Sequence, residues 1–368
     1  MKPEFKGEQA QTRTNTEPGP TELKAVERYR RAVNYLAAAQ IYLKENPLLE
    51  EPLRAAHIKE RLLGHWGTAP GINLIYAHLN RLILGTEASI LLITGPGHGA
   101  AANLANMYLE GTLTEYFPDL TRDRAGLQRF VKSFSWPDAF PSHLFPGYPG
   151  VIHEGGELGY ALATAFGAAL DNPDLIVACI VGDGEAETGP TAGAWHSNKF
   201  LNPKTDGAVL PILHLNAFKI ASPTIFGSMS DEELHLLFGG YGYAVRIVKL
   251  TDQIDRDVWD ALSDAHSEIQ EIQKAARSES AVPRPRWPII ILQTPKGWTG
   301  PAVVDSLVIE ASFRAHQVPA KDVKKNPEHL RVVENWLRSY GPAELLTSMG
   351  GPQRTFWLCA RGAIAAWL

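Results

Sequence analysis

The sequence predicts an α/β protein, a parallel sheet covered by helices on both faces. Five apolar runs are the first observation: SILLIT, LIVACIV, LPILHLN, AVRIVKL and PIIILQT are short enough for strands and too continuously apolar for a strand with a wet face. The second is their alternation with helix-like segments, among them the amphipathic DRDVWDALSDAHSEIQEIQKAAR between the last two runs. The third is where the first three runs end, in glycine or asparagine, as expected at the carboxyl edge of an open parallel sheet, where ligands bind.

Taken in order, residues 1–20 are polar and punctuated by proline and glycine, and are expected to form a flexible tail. From Thr21, TELKAVERYRRAVNYLAAAQIYLKEN carries apolar residues at three- and four-residue intervals and predicts a helix ending before Pro47, an arm packed on the main body. A glycine-bounded elbow, His65 to Gly71, precedes an apolar helix, and SILLIT runs through GPGHGA into an alanine-rich one. HEGGELGYALATAFGAAL, residues 153–170, reads as a helix with two glycines and two carboxylates at its mouth, and GPTAGAWHSNKF as a single helix between LIVACIV and LPILHLN. Residues 21–345 are therefore expected to form one domain. Residues 346–368, where the β/α rhythm stops, are expected to be an atypical C-terminal tail.

Of the 368 residues, 45% are hydrophobic and 20% charged, with a formal net charge of -5. No run of like charge offers a nucleic-acid arm or a membrane-binding face, and no apolar stretch at the N-terminus reads as a signal or a membrane span. Cys179, in a predicted buried strand, and Cys359 make neither a disulfide framework nor a metal cluster, which points to a reducing compartment and a cytoplasmic location.

The chemistry concentrates at the ends of the apolar runs. Asp183, in Gly-Asp-Gly after LIVACIV, offers a hard carboxylate to a Mg²⁺- or Ca²⁺-type ion, and its glycine neighbours let backbone approach a diphosphate. Asn216 closes the next run, and its amide oxygen, with the Phe218 carbonyl two residues on, is expected to complete the protein ligands. GDG alone reads as an ordinary turn; the pair at this spacing reads as a metal–diphosphate site. GPGHGA, residues 95–100, matches the dinucleotide fingerprint and raises an NAD-dependent dehydrogenase as an alternative. That reading needs an acidic residue ending a second strand, and Glu115 and Asp119 lie instead in TEYFPDLTRD, which is not a buried strand. Glu154 and Glu157 read equally well as helix-dipole partners or as neighbours of a Gly155-Gly156 backbone packed on a flat ring. His65, His98, His143, His153 and His316 sit on glycine- or proline-flanked elbows, the pattern of a pocket that handles protons near neutral pH, whereas His78, His235, His266 and His329 lie in helix-like stretches and are expected to be structural or solvated.

RLLGHWGTAPGINLIYAHLNRLI, GPGHG, the SHL of PSHLFPG, IHEGGELGYAL, GDGEAETGP, WHSNKFLNP, PKGWTGP and HQVP, in this order, resemble the N-terminal part of the phosphoketolases from about Glu22 to Leu345. These are thiamine-diphosphate enzymes that cleave xylulose 5-phosphate or fructose 6-phosphate with inorganic phosphate to acetyl phosphate and an aldose phosphate. The resemblance implies a thiamine-diphosphate-binding fold, specifically its diphosphate-binding domain. It implies Asp183, Asn216 and the Phe218 carbonyl as Mg²⁺ ligands, Gly184 and Glu185 beside the diphosphate, and Thr68, Gly156, Glu157 and Lys296 along the cofactor. It implies His65, His98, His143, His316 and Gln317 around the sugar, with the histidines moving protons as water is eliminated. In that family thiamine diphosphate lies between this domain and a pyrimidine-binding domain of the partner subunit in a homodimer, so the chain is expected to be a truncated form, inactive or dependent on a second polypeptide. One departure falls at the metal: LNAFKI stands where the family usually has LNGYKI.

Overall fold

The computed structural model describes residues 18–278 and 284–352. The expected tail at residues 1–17, the end of the C-terminal tail and Cys359 lie outside the described residues. Five parallel strands, β1 (Ser89–Thr94), β2 (Leu175–Gly182), β3 (Ala208–Leu215), β4 (Tyr243–Lys249) and β5 (Trp287–Gln293), form one sheet in the order β1-β2-β3-β5-β4. These are the five apolar runs. A hairpin, β6 (Val303–Val304) and β7 (Leu307–Val308), stands apart from the sheet.

The helices are α1 (Pro20–Tyr42), α2 (Ala69–Thr86), α3 (Ala100–Glu110), α4 (Thr112–Tyr116), α5 (Arg124–Ser133), α6 (Ala161–Ala169), α7 (Asp183–Ala186), α8 (Gly189–Ala194), α9 (Asp231–Gly240), α10 (Ile254–Arg277), α11 (Pro327–Ser339) and α12 (Pro342–Leu345). α2 and α10 lie together over one face of the sheet and α6 packs across β1, β2 and β3 on the other. The β1, β2 and β3 runs are buried almost throughout, as a sheet covered on both faces requires.

The order of the strands positions the site. β2 and β3 pair directly in parallel, with Gly182 opposite His214, so the residues that follow them emerge side by side at the carboxyl edge. β5 pairs with β3 through His214 and Leu215, which brings the segment after Gln293 to the same edge.

Three sequence expectations are corrected. α1 is not an arm: from Tyr29 to Tyr42 every residue but Arg31 is buried, and the helix packs against α2 and α3. Its apolar stripe seats it on α2, and its alanines and tyrosines let α3, α5 and α11 close over the remaining sides. The helix expected from residue 153 begins only at Ala161, because Gly159 adopts a left-handed φ of 108° that a helix cannot continue through. GPTAGAWHSNKF is not one helix but α8 followed by a 3₁₀ turn, Trp195–Lys199.

No helix among the described residues is long and apolar enough to cross a membrane.

The burial of α1 has a measurable consequence. Leu36 is fully buried on it, so Leu36→Ala should lower the free energy of unfolding in urea by roughly 2–5 kcal/mol. A change within ~0.5 kcal/mol would return α1 to the status of a loosely docked arm.

Candidate functional site

Asp183 is the first residue of α7 and is buried. Its Oδ2 accepts hydrogen bonds from the Asn216 N–H at 3.0 Å, the Ala217 N–H at 2.6 Å and the Thr224 hydroxyl at 3.1 Å, and its Oδ1 accepts from the Gly184 N–H at 2.9 Å. One carboxylate thus splices the loops after β2 and β3. Burial raises its pKa, against the opposing pull of the Lys296 ammonium and these donors. Oδ1, with a single protein donor, keeps lone-pair capacity for a cation.

The Asn216 amide oxygen and the Phe218 carbonyl face one another across the Lys296 ammonium, which donates to Phe218 O at 2.6 Å and Asn216 Oδ1 at 3.4 Å. The loop bends there because Ala217 takes a φ of 73°, in the left-handed region that glycine enters without penalty. The departure LNAFKI therefore falls on the residue whose backbone makes the turn.

Near Lys296 the elbow histidines converge. The His65 ring lies 4.9 Å from His98, 5.1 Å from His316 and 5.4 Å from His143, centroid to centroid, and His98 lies 5.2 Å from His316. Backbone contacts lock their loops together: Trp66 N–H to the Gln317 carbonyl at 3.0 Å, Gly297 N–H to Gly67 O at 2.9 Å, Leu144 N–H to Gly97 O at 2.9 Å and Gly155 N–H to Leu144 O at 2.9 Å. Gly97 and Gly155 touch backbone to backbone, so that a Cβ on Gly97 would fall 2.2 Å from the Gly155 Cα.

Desolvation is the first cause of low basicity in all four rings. His65 is held down to about 4 and His316 to about 3, with neighbouring rings and the Lys296 charge adding to the effect, while His98 falls well below the ordinary value and the half-buried His143 is lowered by burial against the pull of the Glu154 carboxylate. At neutral pH the cluster is uncharged. His65 Nδ1 and His316 Nδ1 are buried without a hydrogen-bond partner. Lys296, itself lowered to about 8 by burial, is the cation these rings feel.

Other expected residues are placed differently. Gln317 is exposed at the inner end of a cleft of about 430 Å³ that it shares with His316, Arg314 and Lys321. Thr68 is buried, its hydroxyl 3.3 Å from His214 Nδ1. Gly156 and Glu157 lie on the exposed loop before α6, and Glu154 bonds the Gly156 N–H at 3.1 Å, so neither carboxylate caps a helix. Gly155 does not carry a flat ring on its buried side; it packs on Gly97.

Glu185 takes the capping role instead. It is buried, accepts from Gly182 N–H at 3.1 Å and Gly159 N–H at 3.3 Å, and is pushed up to about 7 by burial. Its carboxylate fills the space that a Cβ on Gly95 would need. The glycines of GPGHGA are thus occupied by Glu185, Gly155, Ile72 and Thr68, and the chain continues into α4 and α5, with Glu115 on α4, instead of a second strand. The parallel neighbour of β1, β2, comes only after α3, α4, α5 and α6, so the dinucleotide fingerprint lacks its compact βαβ unit of ~30 residues.

Sequence reasoning missed His214 and Thr224. His214 bridges Thr68 and Thr294 from within β3, 2.9 Å from the Thr294 hydroxyl, and burial lowers it to about 4. A histidine inside an otherwise apolar run, two residues before Asn216, was the available signal.

This strand order, with a buried carboxylate, an amide and a carbonyl at adjoining carboxyl ends, is the diphosphate-binding domain of the thiamine-diphosphate fold. Transketolases superpose on it: one from Leishmania mexicana with a TM-score of 0.59 at 17% identity, over 92% of this chain and 44% of that one, and one from Pichia stipitis with a TM-score of 0.58 at 15% identity, over 93% and 44%. Identity at that level speaks for the fold alone. Within the class, the profile of the XFP N-terminal domain matches residues 17–358, and the chain belongs to that family, the N-terminal domain of phosphoketolases. A probable phosphoketolase of Synechococcus elongatus is 57% identical over 335 residues, 90% of this chain and 42% of the relative, and one of Streptomyces coelicolor is 56% identical over 339 residues, 92% and 43%. The chain spans less than half the length of these curated relatives.

Two measurements follow from the geometry. His65 is about 4 when folded, so between that value and ~6.5 the unfolded chain binds a proton that the folded chain refuses. Its contribution to stability is complete above ~6.5 and lost as the pH falls toward 4. His65→Asn should lose less in melting temperature than the parent between pH 7 and pH 4.5; equal losses would remove His65 from the acid response. Ala217→Gly should relieve the left-handed turn and stabilise the chain by roughly 0.5–1 kcal/mol in thermal unfolding, the strain relieved exceeding the added chain entropy. A loss of stability would show that the alanine methyl is held favourably against Gly227.

Proposed function

We propose that this chain is the diphosphate- and cation-holding domain of a thiamine-diphosphate-dependent phosphoketolase acting on xylulose 5-phosphate, fructose 6-phosphate or both. The observation that supports this reading is one constellation about Lys296: Asp183, Asn216 and Phe218 at the strand tips, and the histidine cluster of His65, His98, His143 and His316, three of whose rings feel the Lys296 charge. Three hard oxygens, one of them a carboxylate, suit Mg²⁺ or Ca²⁺. The Lys296 ammonium already seated on two of them is a stand-in for such an ion.

In this reading Asp183, Asn216 and the Phe218 carbonyl would hold the ion, and Thr68, Gly156, Glu157, Gly184 and Lys296 would border the cofactor. Glu185 acts one step back, by fixing the loops at Gly159 and Gly182. When bound, thiamine diphosphate supplies the electron sink for cleavage of a carbon–carbon bond next to the ketose carbonyl. The chain's own residues manage protons. An uncharged imidazole presents one donor and one acceptor, so rings of the cluster that reach the sugar can give or take a proton at its hydroxyls. The low basicity of the cluster favours passing a proton on over storing it. Gln317, at the inner end of the cleft, is suited to a sugar hydroxyl, and inorganic phosphate is the second substrate.

The pyrimidine-binding domain is proposed to come from the portion of the relatives that this chain does not span, from another polypeptide or from a partner subunit. A second reading has the chain bind cofactor without turnover.

Acetyl phosphate release from either sugar phosphate, with thiamine diphosphate and Mg²⁺, should appear when the chain is combined with a polypeptide supplying the rest of a relative's length. Asp183→Asn should reduce both cofactor affinity and any turnover at least ten-fold. Cofactor binding without turnover in every combination would leave the second reading, and no cofactor binding at all would end both.

A further inference from the structure

Lys296 is buried, yet no carboxylate forms a salt bridge with it among the described residues. Its ammonium is satisfied by oxygen dipoles, the Phe218 carbonyl at 2.6 Å and the Asn216 amide oxygen at 3.4 Å, and by the more distant charge of Asp183. A buried cation solvated in this way needs every one of those oxygens. They are also the oxygens assigned above to a divalent ion.

Both cannot be held at once. A Mg²⁺- or Ca²⁺-type ion draws its ligand oxygens to ~2.0–2.6 Å and directs their lone pairs at itself. An ammonium donating to the same carbonyl would then face a double positive charge a few ångströms away, in surroundings of low dielectric. Resting on the metal-site reading of the proposed function, we infer that Lys296 is a resident cation that holds Asn216 and Phe218 in their ligand positions and gives them up when a divalent ion enters.

The surroundings provide for the exchange. Lys296 precedes Gly297, whose φ of 74° already lies in the left-handed region, and its Cε passes 2.9 Å from where a Cβ on Gly67 would be, so the stem runs against bare Gly67 backbone, beside the His316 Cα. His65, His98 and His316 stand close enough to feel the Lys296 charge, and the His316 backbone lies with the Lys296 stem against Gly67. Unprotonated nitrogens there can accept from a displaced ammonium, and His65 Nδ1 and His316 Nδ1 have no other partner. Loading of the ion therefore transfers the lysine's positive charge from the strand tips to the histidine cluster, and the empty site never presents Asp183 without a nearby cation.

The test titrates Mn²⁺ alone into the chain and reads the bound ion by electron paramagnetic resonance. Lys296→Met removes the competitor, so it should bind Mn²⁺ at least ten-fold more tightly than the parent. Its metal-free form should melt at lower temperature, and Mn²⁺ should restore the loss. Equal affinity in parent and variant would overturn the exchange while leaving the metal site standing; no Mn²⁺ binding that Asp183→Asn abolishes, in either protein, would overturn the exchange and the metal-site reading together. A second measurement uses the parent chain alone and holds even if the variant does not fold: peptide-resolved reductive methylation of Lys296 should rise several-fold when Mn²⁺ is added. Unchanged or reduced methylation would overturn the exchange.

Discussion

Everything at the carboxyl edge of the sheet depends on the direct pairing of β2 with β3. Their register sets Gly182 against His214, and the next residue of one strand becomes a hydrogen-bond partner of the next loop of the other. Asp183 is buried at that junction, and a buried carboxylate is tolerable only when donors surround it. The Asn216 and Ala217 amides, the Thr224 hydroxyl and the Gly184 amide meet that demand and are themselves fixed by it. The need to satisfy one carboxylate therefore orients the amide and carbonyl oxygens that follow β3, and the site's geometry is a by-product of its own electrostatic requirement.

Charge is distributed along the same axis. One buried ammonium, Lys296, lies near both the oxygens and the imidazoles, and its field works in opposite senses on the two sets: it favours the charged form of Asp183 and disfavours protonation of His65, His98, His214 and His316. Burial and that field together keep the histidines neutral. A cluster of four rings within about 5.4 Å of His65 or each other would otherwise repel itself apart once more than one took a proton.

What the sequence made legible follows from how local each signal is. β1, β2, β3 and β5 are readable because burial on both faces removes polar residues from a short run, whereas the edge strand β4 is half-buried and keeps Arg246 and Lys249; Asp183 and Asn216 are readable because they end two of the buried runs. The four histidines were readable as a set from their glycine- and proline-flanked positions, although nothing local says that residues 65, 98, 143 and 316 meet. Other features depend on partners distant in sequence. α1 has the periodicity of a one-sided helix, and its burial comes from helices that close over its small residues. Glu185 looks like a diphosphate neighbour in GDGE, yet its carboxylate answers Gly159, 26 positions earlier. His214 was hidden by the apolar run that surrounds it. The glycines between Glu154 and Gly159 look like the mouth of a helix, yet Gly159 delays its start to Ala161.

The contact between Gly97 and Gly155 carries a mechanical consequence. With no side chains between them, the turn that bears His98, the segment at Leu144 beside His143 and the loop leading to α6 are stitched by Leu144 into a single plate of backbone. Such a plate has no soft layer in which one loop can slide over another. Any opening of this wall must swing all three segments as a shutter, so access to the two histidines it carries is granted or refused together.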